Sequence, residues 1–380
     1  MNPRPKKIAV IGGGPAGAVC AERLARRDRE VVVYEGRPGW DKPCAGGLTP
    51  ALFDEHPWLL ELDSKCNKVE RATMTFPSGK LDMSLKRKLR IIDRRELNGF
   101  LQRRAQNAGA LWREGFARRI EQHRDRIVVD GEKYDFVVGA DGANSTVRRM
   151  VGRPLRREDW AIGVGLYVGE TMEPRLVVRM LPDLAAYAWI FPALDRCSVG
   201  IMAPVGIATR HEMLKRVRGL ANDYFSASAV DSAESFAALL PAVRGGLLFS
   251  AELVGERFAL VGDAAGLCDP FSGEGIRWAV TSGSLAGRAI ALGDTSLYAR
   301  ALDENILPEL NASSRLVSRL MRRGPMMLAG VLAPRSGTLE STLSEFVSGS
   351  LAYEQLKRTF KRRAAKILRQ ALFNFYCVQR

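Results

Sequence analysis

Cysteine is scarce in this chain and poorly spaced for disulfide or metal chemistry. The six cysteines of the 380-residue sequence, at 20, 44, 66, 197, 268 and 377, form no CxxC pair. Reduced thiols in a cytoplasm therefore fit better than a disulfide framework. Histidine is scarcer still: His56, His123 and His211 are scattered without metal-ligand spacing, so no metal site is expected. No apolar run approaches the ~18 residues of a membrane span, and Met326–Ala333 is short and bracketed by Pro325 and Pro334. Lys6 and Lys7 precede an apolar run as in a secretion signal, but that run passes straight into a glycine turn and no cleavage site follows. Internal repeats and low-complexity linkers are also missing.

Acidic residues are in short supply. There are 42 Asp and Glu against 57 Lys and Arg, a net charge of +15. Nearly half the excess lies in 353–380, where eight basic residues (Lys357, Arg358, Lys361, Arg362, Arg363, Lys366, Arg369, Arg380) face Glu354 alone. Such a balance points to nucleic acid, acidic substrates or an anionic membrane surface. No base-reading module accompanies the charge, so nucleic acid is not expected as a partner.

What is present is ordinary for a folded protein, with 46% hydrophobic and 26% charged residues and a length that suits two domains. The richest stretch is residues 8–35. An apolar run, Ile8 to Ile11, enters Gly12-x-Gly14-x-x-Gly17; Ala18 to Arg27 has helical spacing; Val31 to Tyr34 is a second apolar run closed by Glu35. Gly12 permits a tight turn, Gly14 lets a pyrophosphate approach the backbone, and Gly17 lets helix and strand pack closely. The diphosphate would sit on unsatisfied N–H groups at the helix start, with Glu35 accepting from a ribose 2′-OH. Strand, turn, helix, strand and terminal acid together predict an adenine dinucleotide.

Two more nucleotide signals follow. Val137 to Ser145 reads VVGADGANS with Arg148 beyond it, and Ala259 to Gly266 reads ALVGDAAG and continues through Pro270 to Gly273-Glu274-Gly275-Ile276. In each, an apolar strand ends at an Asp, Asp141 or Asp263, beside glycine at its carboxyl end, where ligands bind in open α/β sheets. Either Asp could take a ribityl hydroxyl, and a helix opening at Gly275 would aim its N–H groups at an anionic partner. Three signals in this order predict FAD.

These motifs resemble those of FAD-dependent enzymes with the para-hydroxybenzoate hydroxylase fold, over roughly residues 6–290. Two others narrow the resemblance. Lys42-Pro43-Cys44-Ala45-Gly46-Gly47-Leu48-Thr49 is similar to the KPCGGGLT loop of the geranylgeranyl reductase family, and Tyr187-Ala188-Trp189-Ile190-Phe191-Pro192 to its YxWxFP substrate-cavity motif. The chain departs from the family at Ala45, in place of glycine, and at Met202, where Gly200-Ile201-Met202 replaces GxG. The resemblance implies FAD contacts at Ala16, Glu35, Cys44, Ala45, Gly47, Arg94, Ala117, Asp263, Gly275 and Ile276. The DRxxL spacing selects Arg94 over Arg95. It also implies that Cys44 sits over the flavin ring near the substrate. Tyr187, Trp189 and Phe191, two apart on a strand, share one side and would line a cavity for a long apolar substrate.

The implied fold is α/β: a Rossmann-like FAD-binding domain assembled from discontinuous segments (1–65, 91–150 and 246–290), an inserted antiparallel-sheet substrate domain (66–90 and 151–245), and a helical C-terminus (291–380). Asp93 to Ala108 is predicted helical, with Asp93 as N-cap and Gly109 as stop. Strands are expected at Ile162–Val168, Leu176–Met180, Ala188–Phe191 and Cys197–Met202, helix over 211–240, a strand at Phe258–Gly262, and helices after 274. Leu356, Phe360, Ala364, Ile367, Ala371, Phe375 and Val378 form an apolar stripe amid basic residues, readable as an interfacial helix. The implied activity is saturation of carbon–carbon double bonds in an isoprenoid or lipid-like substrate by hydride from flavin N5. Electrons would come from transient NAD(P)H or a protein donor. The alternatives are a monooxygenase on the same fold, hydroxylating or epoxidising its substrate, and a membrane-associated electron relay. The expected location is cytoplasmic, with peripheral attachment to an anionic membrane surface.

Overall fold

The computed structural model describes residues 5–243 and 248–377, apart from the side chains of Ser318, Tyr376 and Cys377. Val378 and Arg380 of the basic tail lie outside the described residues. The chain forms two compact units, each built from three separate stretches: 1–42, 94–160 and 239–314 in the first, 43–93, 161–238 and 315–380 in the second.

The first unit is organised on a five-stranded sheet in the order Phe258–Leu260, Phe136–Gly139, Lys7–Ile11, Glu30–Glu35, Leu111–Glu114. Every pairing is parallel. Strands covered on both faces read as unbroken apolar runs; accordingly Ile8, Ala9, Val10, Val33, Val137 and Val138 are wholly buried. Helix Pro15–Ala25 starts with Pro15 in its first turn, where the missing N–H is no loss. Helix Ile276–Leu292 packs against it, because Gly283 and Gly287 leave no side chain between its backbone and Ala16 and Cys20. The expected strand at 258–262 stops at Leu260, and Gly262–Ala265 turns as a short 3-10 helix.

The second unit carries an eight-stranded sheet ordered Glu234–Leu240, Ala161–Val168, Cys197–Pro204, Ala186–Pro192, Arg175–Leu181, Cys66–Phe76, Gly79–Ile92, Gly47–Leu48. The four predicted strands between 161 and 204 are present and pair antiparallel. The sheet is not antiparallel throughout, since Arg175–Leu181 joins Cys66–Phe76 in parallel. One face, with Ala188, Ile190, Val199 and Ile201, is covered by helix Arg210–Asn222, which is started by a reciprocal cap between Thr209 and Glu212.

Helix does not continue to residue 240. Glu234–Leu240 is the edge strand beside Ala161–Val168, and the ring of Phe236 fills the space over Gly165. Edge pairing overrides local helical preference here. The terminal helix, Tyr353–Cys377, is also corrected in one respect. Leu356, Ile367 and Ala371 of its predicted stripe are buried, and Arg363 donates to Thr342 and Glu345 of helix Gly337–Val347. Those three stripe residues face protein, whereas Ala364 and Phe375 are exposed. No described helix is long and apolar enough to cross a membrane.

Candidate flavin and substrate site

The nucleotide signals of the first unit converge on the carboxyl edge of its parallel sheet. Gly14 is the N-cap of helix Pro15–Ala25, no side chain caps it, and the space ahead of Gly14 is open. Unmet N–H groups and the positive end of the helix dipole thus face a space free of side chains. Ala16 is buried on the helix, and Gly17 permits its contact with Gly12. Glu35 ends its strand with both carboxylate oxygens engaged, one accepting from Gly13 N and the other from Arg37 N, each at 2.8 Å. The indole of Trp112 lies beside Gly13 and Glu35, and its Nε1 is buried with no acceptor.

Arg94 and Arg95 separate cleanly. Arg94 is buried, gives one hydrogen bond to Asn98, and keeps a buried Nε without a partner. Arg95 is exposed and faces Asp41 at 3.8 Å. An uncapped helix start with buried N–H donors at Trp112 Nε1 and Arg94 Nε, unmet among the described residues, fits an anionic dinucleotide.

Asp141 is spent differently from Asp263. Its carboxylate accepts from Ser145 Oγ at 2.5 Å and Thr146 N at 2.6 Å, so it closes its own loop, and burial pushes its acid upward. Arg148, also buried and held below its ordinary value by desolvation, donates to the carbonyls of Arg153 and Ala264. It ties the loop after Phe136–Gly139 to the loop after Phe258–Leu260. Asp263 lies against Gly275, the uncapped start of helix Ile276–Leu292, and its Oδ2 is 2.6 Å from Lys42 Nζ. Ile276 is buried at that helix start. Ala117 lies in the loop between Leu111–Glu114 and Ile120–Gln122, half-buried against the core.

Cys44, Ala45 and Gly47 belong to the second unit. The Cys44 backbone is held at both ends by Tyr167, whose hydroxyl accepts from Cys44 N at 3.0 Å and donates to Cys44 O at 3.3 Å. Cys44 Sγ accepts from Gly46 N at 3.3 Å. The guanidinium of Arg196 stacks on the Tyr167 ring at 3.9 Å and pairs with Asp93 at 2.8 Å. Among the described cysteines, Cys44 alone is not buried. Burial drives the thiols of Cys20 and Cys197 up to about 12 and that of Cys66 to about 11.

Tyr187, Trp189 and Phe191 do share a sheet face, the one turned away from helix Arg210–Asn222. Trp189 donates to Ser198 and lies over Gly200, where any side chain would displace it. Phe191 rests on Gly47. Met202 stands directly across from Tyr187 and Met180 pairs with Tyr187 from the other side, so two methionines flank the aromatic row. Residue-type reasoning missed Lys42, Trp112, Tyr167 and Arg196. Only Lys42 carried a signal, its place beside the cysteine loop.

An NAD(P)-binding Rossmann-like domain matches residues 10–40. The chain is 27% identical over 374 residues to a chloroplastic geranylgeranyl diphosphate reductase of Arabidopsis thaliana, covering 86% of this chain and 76% of that protein. It is 27% identical over 391 residues to a menaquinone reductase of Mycolicibacterium smegmatis, covering 93% and 94%. A geranylgeranyl bacteriochlorophyll reductase-like protein of Thermoplasma acidophilum shares the fold at a TM-score of 0.76 and 18% identity, over 94% of this chain and 98% of that one. The flavin-dependent brominase Bmp2 superposes at 0.69 with 15% identity, over 95% and 99%. The solved structures that share its fold include flavin-dependent enzymes. The proteins it resembles in sequence are named geranylgeranyl diphosphate reductases and menaquinone reductases.

Proposed function

We propose that the protein saturates carbon–carbon double bonds of an isoprenoid or lipid-like substrate. The observation that carries this reading is the apolar sheet face of Tyr187, Trp189 and Phe191, flanked by Met180 and Met202 and reaching the cysteine loop where Phe191 meets Gly47. Each methylene laid on such a face contributes roughly 0.8 kcal/mol, so a prenyl chain gains affinity with length. The names of the relatives, geranylgeranyl diphosphate reductase and menaquinone reductase, support the same substrate class.

FAD, when bound, supplies the hydride. Gly12, Gly14, Ala16, Gly17 and the unmet N–H groups of helix Pro15–Ala25 would hold its diphosphate, Glu35 and Ala117 its adenosine end, Arg94 its anionic portion, and Asp141, Asp263, Gly275 and Ile276 the remainder. Cys44, Ala45 and Gly47 would form the loop that meets the substrate, with Cys44 Sγ presented there. The aromatic row orients the chain and excludes water from the reacting carbons. Electrons arrive from transient NAD(P)H or a protein donor, because the sequence carries a single dinucleotide fingerprint.

Incubation of the reduced, FAD-loaded protein with geranylgeranyl diphosphate or menaquinone, followed by mass spectrometry, tests the reading. Two hydrogen atoms gained per reduced bond are expected. Gain of an oxygen atom would make the enzyme a monooxygenase, and flavin oxidation by quinone with no change at any alkene would make it an electron relay.

A further inference from the structure

The terminal helix also presents apolar residues to solvent, three outside the predicted stripe and Phe375 within it. Leu368, Leu372, Phe373 and Phe375 are exposed, Phe373 by 68%. A second exposed set, Met327, Leu328 (57%) and Val331, lies on helix Arg323–Leu332, which contacts the terminal helix. Arg335 joins the two sets: its guanidinium donates to Val331 O at 2.8 Å and lies over the Phe375 ring at 5.7 Å, while Asn374 donates to Arg335 O at 2.8 Å. Arg335 thus brings Val331 of one exposed set and Phe375 of the other to a common side chain. Patches of this kind on a soluble surface mark an interaction site.

The charge around the patch selects the partner. Residues 315–335 hold Arg315, Arg319, Arg322, Arg323 and Arg335 and no acidic residue; residues 357–377 hold seven basic residues and no acidic one. On the terminal helix the two chemistries share a face. Lys357, Lys361, Leu368 and Leu372 recur at intervals of four, seven and four, and all four are exposed. The helix is therefore cationic in its first turns and apolar in its last on the same side. A protein partner for so large a cationic field would need a matching acidic surface with an apolar centre. An anionic bilayer offers both at once, headgroup charge outside and hydrocarbon beneath.

We infer that these two helices form a docking face for an anionic lipid bilayer, with Leu328, Val331, Leu372 and Phe373 entering the headgroup–acyl boundary. The inference deepens the proposed function, since a lipid-like substrate would be met there. It does not require the proposed chemistry.

Co-sedimentation with phosphatidylcholine vesicles, with and without phosphatidylglycerol, tests it on the FAD-loaded full chain. Wild type should pellet only with the anionic vesicles and dissociate as salt rises. Leu328→Glu and Phe373→Glu, each at an exposed site, should cut the partition coefficient about tenfold or more while retaining melting temperature and flavin absorbance. Lys357→Glu with Lys361→Glu should weaken binding by roughly fivefold per charge removed. Equal pelleting by wild type and Leu328→Glu, or no pelleting by wild type, overturns the inference. So does a wild-type dimer in sedimentation equilibrium that Leu328→Glu converts to monomer, with no vesicle binding by either; the face would then join two copies. Vesicle binding is measured without turnover, so failure here leaves the reductase reading standing, and failure of reduction leaves the docking face standing.

Discussion

Lys42 and Asp263 are 221 residues apart in sequence and 2.6 Å apart in space. The lysine is the last residue of the first unit before the chain crosses to the second at Pro43, and the aspartate belongs to the glycine-rich turn before helix Ile276–Leu292. The pair fixes the Lys42 side chain beside that helix start. Both partners are mostly shielded, at 28% and 18% exposure. Lys42→Met should therefore weaken FAD binding by about 1 kcal/mol, close to the net worth of a partly shielded charge-assisted hydrogen bond. Fluorescence titration of apoprotein with FAD reads this as a several-fold rise in Kd.

Arg94 and Arg95 make a paired control. Arg94→Ala removes a buried guanidinium with an unmet Nε, and FAD affinity should fall by roughly 1.5–3 kcal/mol. Arg95→Ala removes an exposed side chain and should leave the Kd unchanged. Equal effects at both positions would contradict the assignment of Arg94 to the cofactor.

Thiol chemistry offers a direct assay of Cys44. Burial holds Cys20 and Cys197 at about 12 and Cys66 at about 11, so at pH 8 these remain protonated and shielded. Labelling of the native protein should therefore lose signal at Cys44 in the Cys44→Ser variant, as read by peptide mapping. The same variant should retain FAD yet slow alkene-dependent oxidation of the reduced protein. Unchanged turnover would reduce Cys44 to a packing role.

Met202 should set substrate length. It is buried at 2% exposure and faces Tyr187. Met202→Ala should cost about 2–4 kcal/mol of stability through the cavity it leaves. In exchange, the space should raise kcat/KM for longer prenyl chains relative to shorter ones, by up to about fourfold per methylene accommodated.

Deletion of 353–380 should lower the melting temperature steeply. Leu356, Ile367 and Ala371 would leave their neighbours bare, and Thr342 and Glu345 would lose Arg363. A thermal scan of the truncated chain checks this.

The parallel sheet was readable from sequence because its strands are covered on both faces and therefore appear as unbroken apolar runs, as Ile8 to Ile11 and Val137 to Val138 do. The hairpin Cys66–Phe76 with Gly79–Ile92 was not. Its outer face alternates charged residues such as Lys68, Glu70 and Lys88, and a register shift between Val69 and Arg71 breaks the period of two. Within the site, Gly12, Gly14 and Gly17 announce themselves because a fixed spacing serves one turn. The Tyr167 hydroxyl on Cys44 does not: a tyrosine near the end of an apolar strand looks the same whether it grips a distant backbone or merely packs. Long-range pairs of single side chains leave no local pattern.

The strand order of the parallel sheet also has a consequence for biosynthesis. Phe258–Leu260 pairs with Phe136–Gly139, although the whole stretch 161–238 is made between them. On the ribosome, the antiparallel strands from 161 to 204 emerge as neighbours and can pair at once, whereas the glycine fingerprint must wait for a strand made more than a hundred residues after its partner. A nascent chain stopped before residue 258 carries the complete fingerprint and still lacks an edge of the sheet that supports it. Flavin stabilises only the finished form, so capture is a late event, and a shortage of flavin during growth should appear as proteolysis of full-length chains rather than as slowed synthesis.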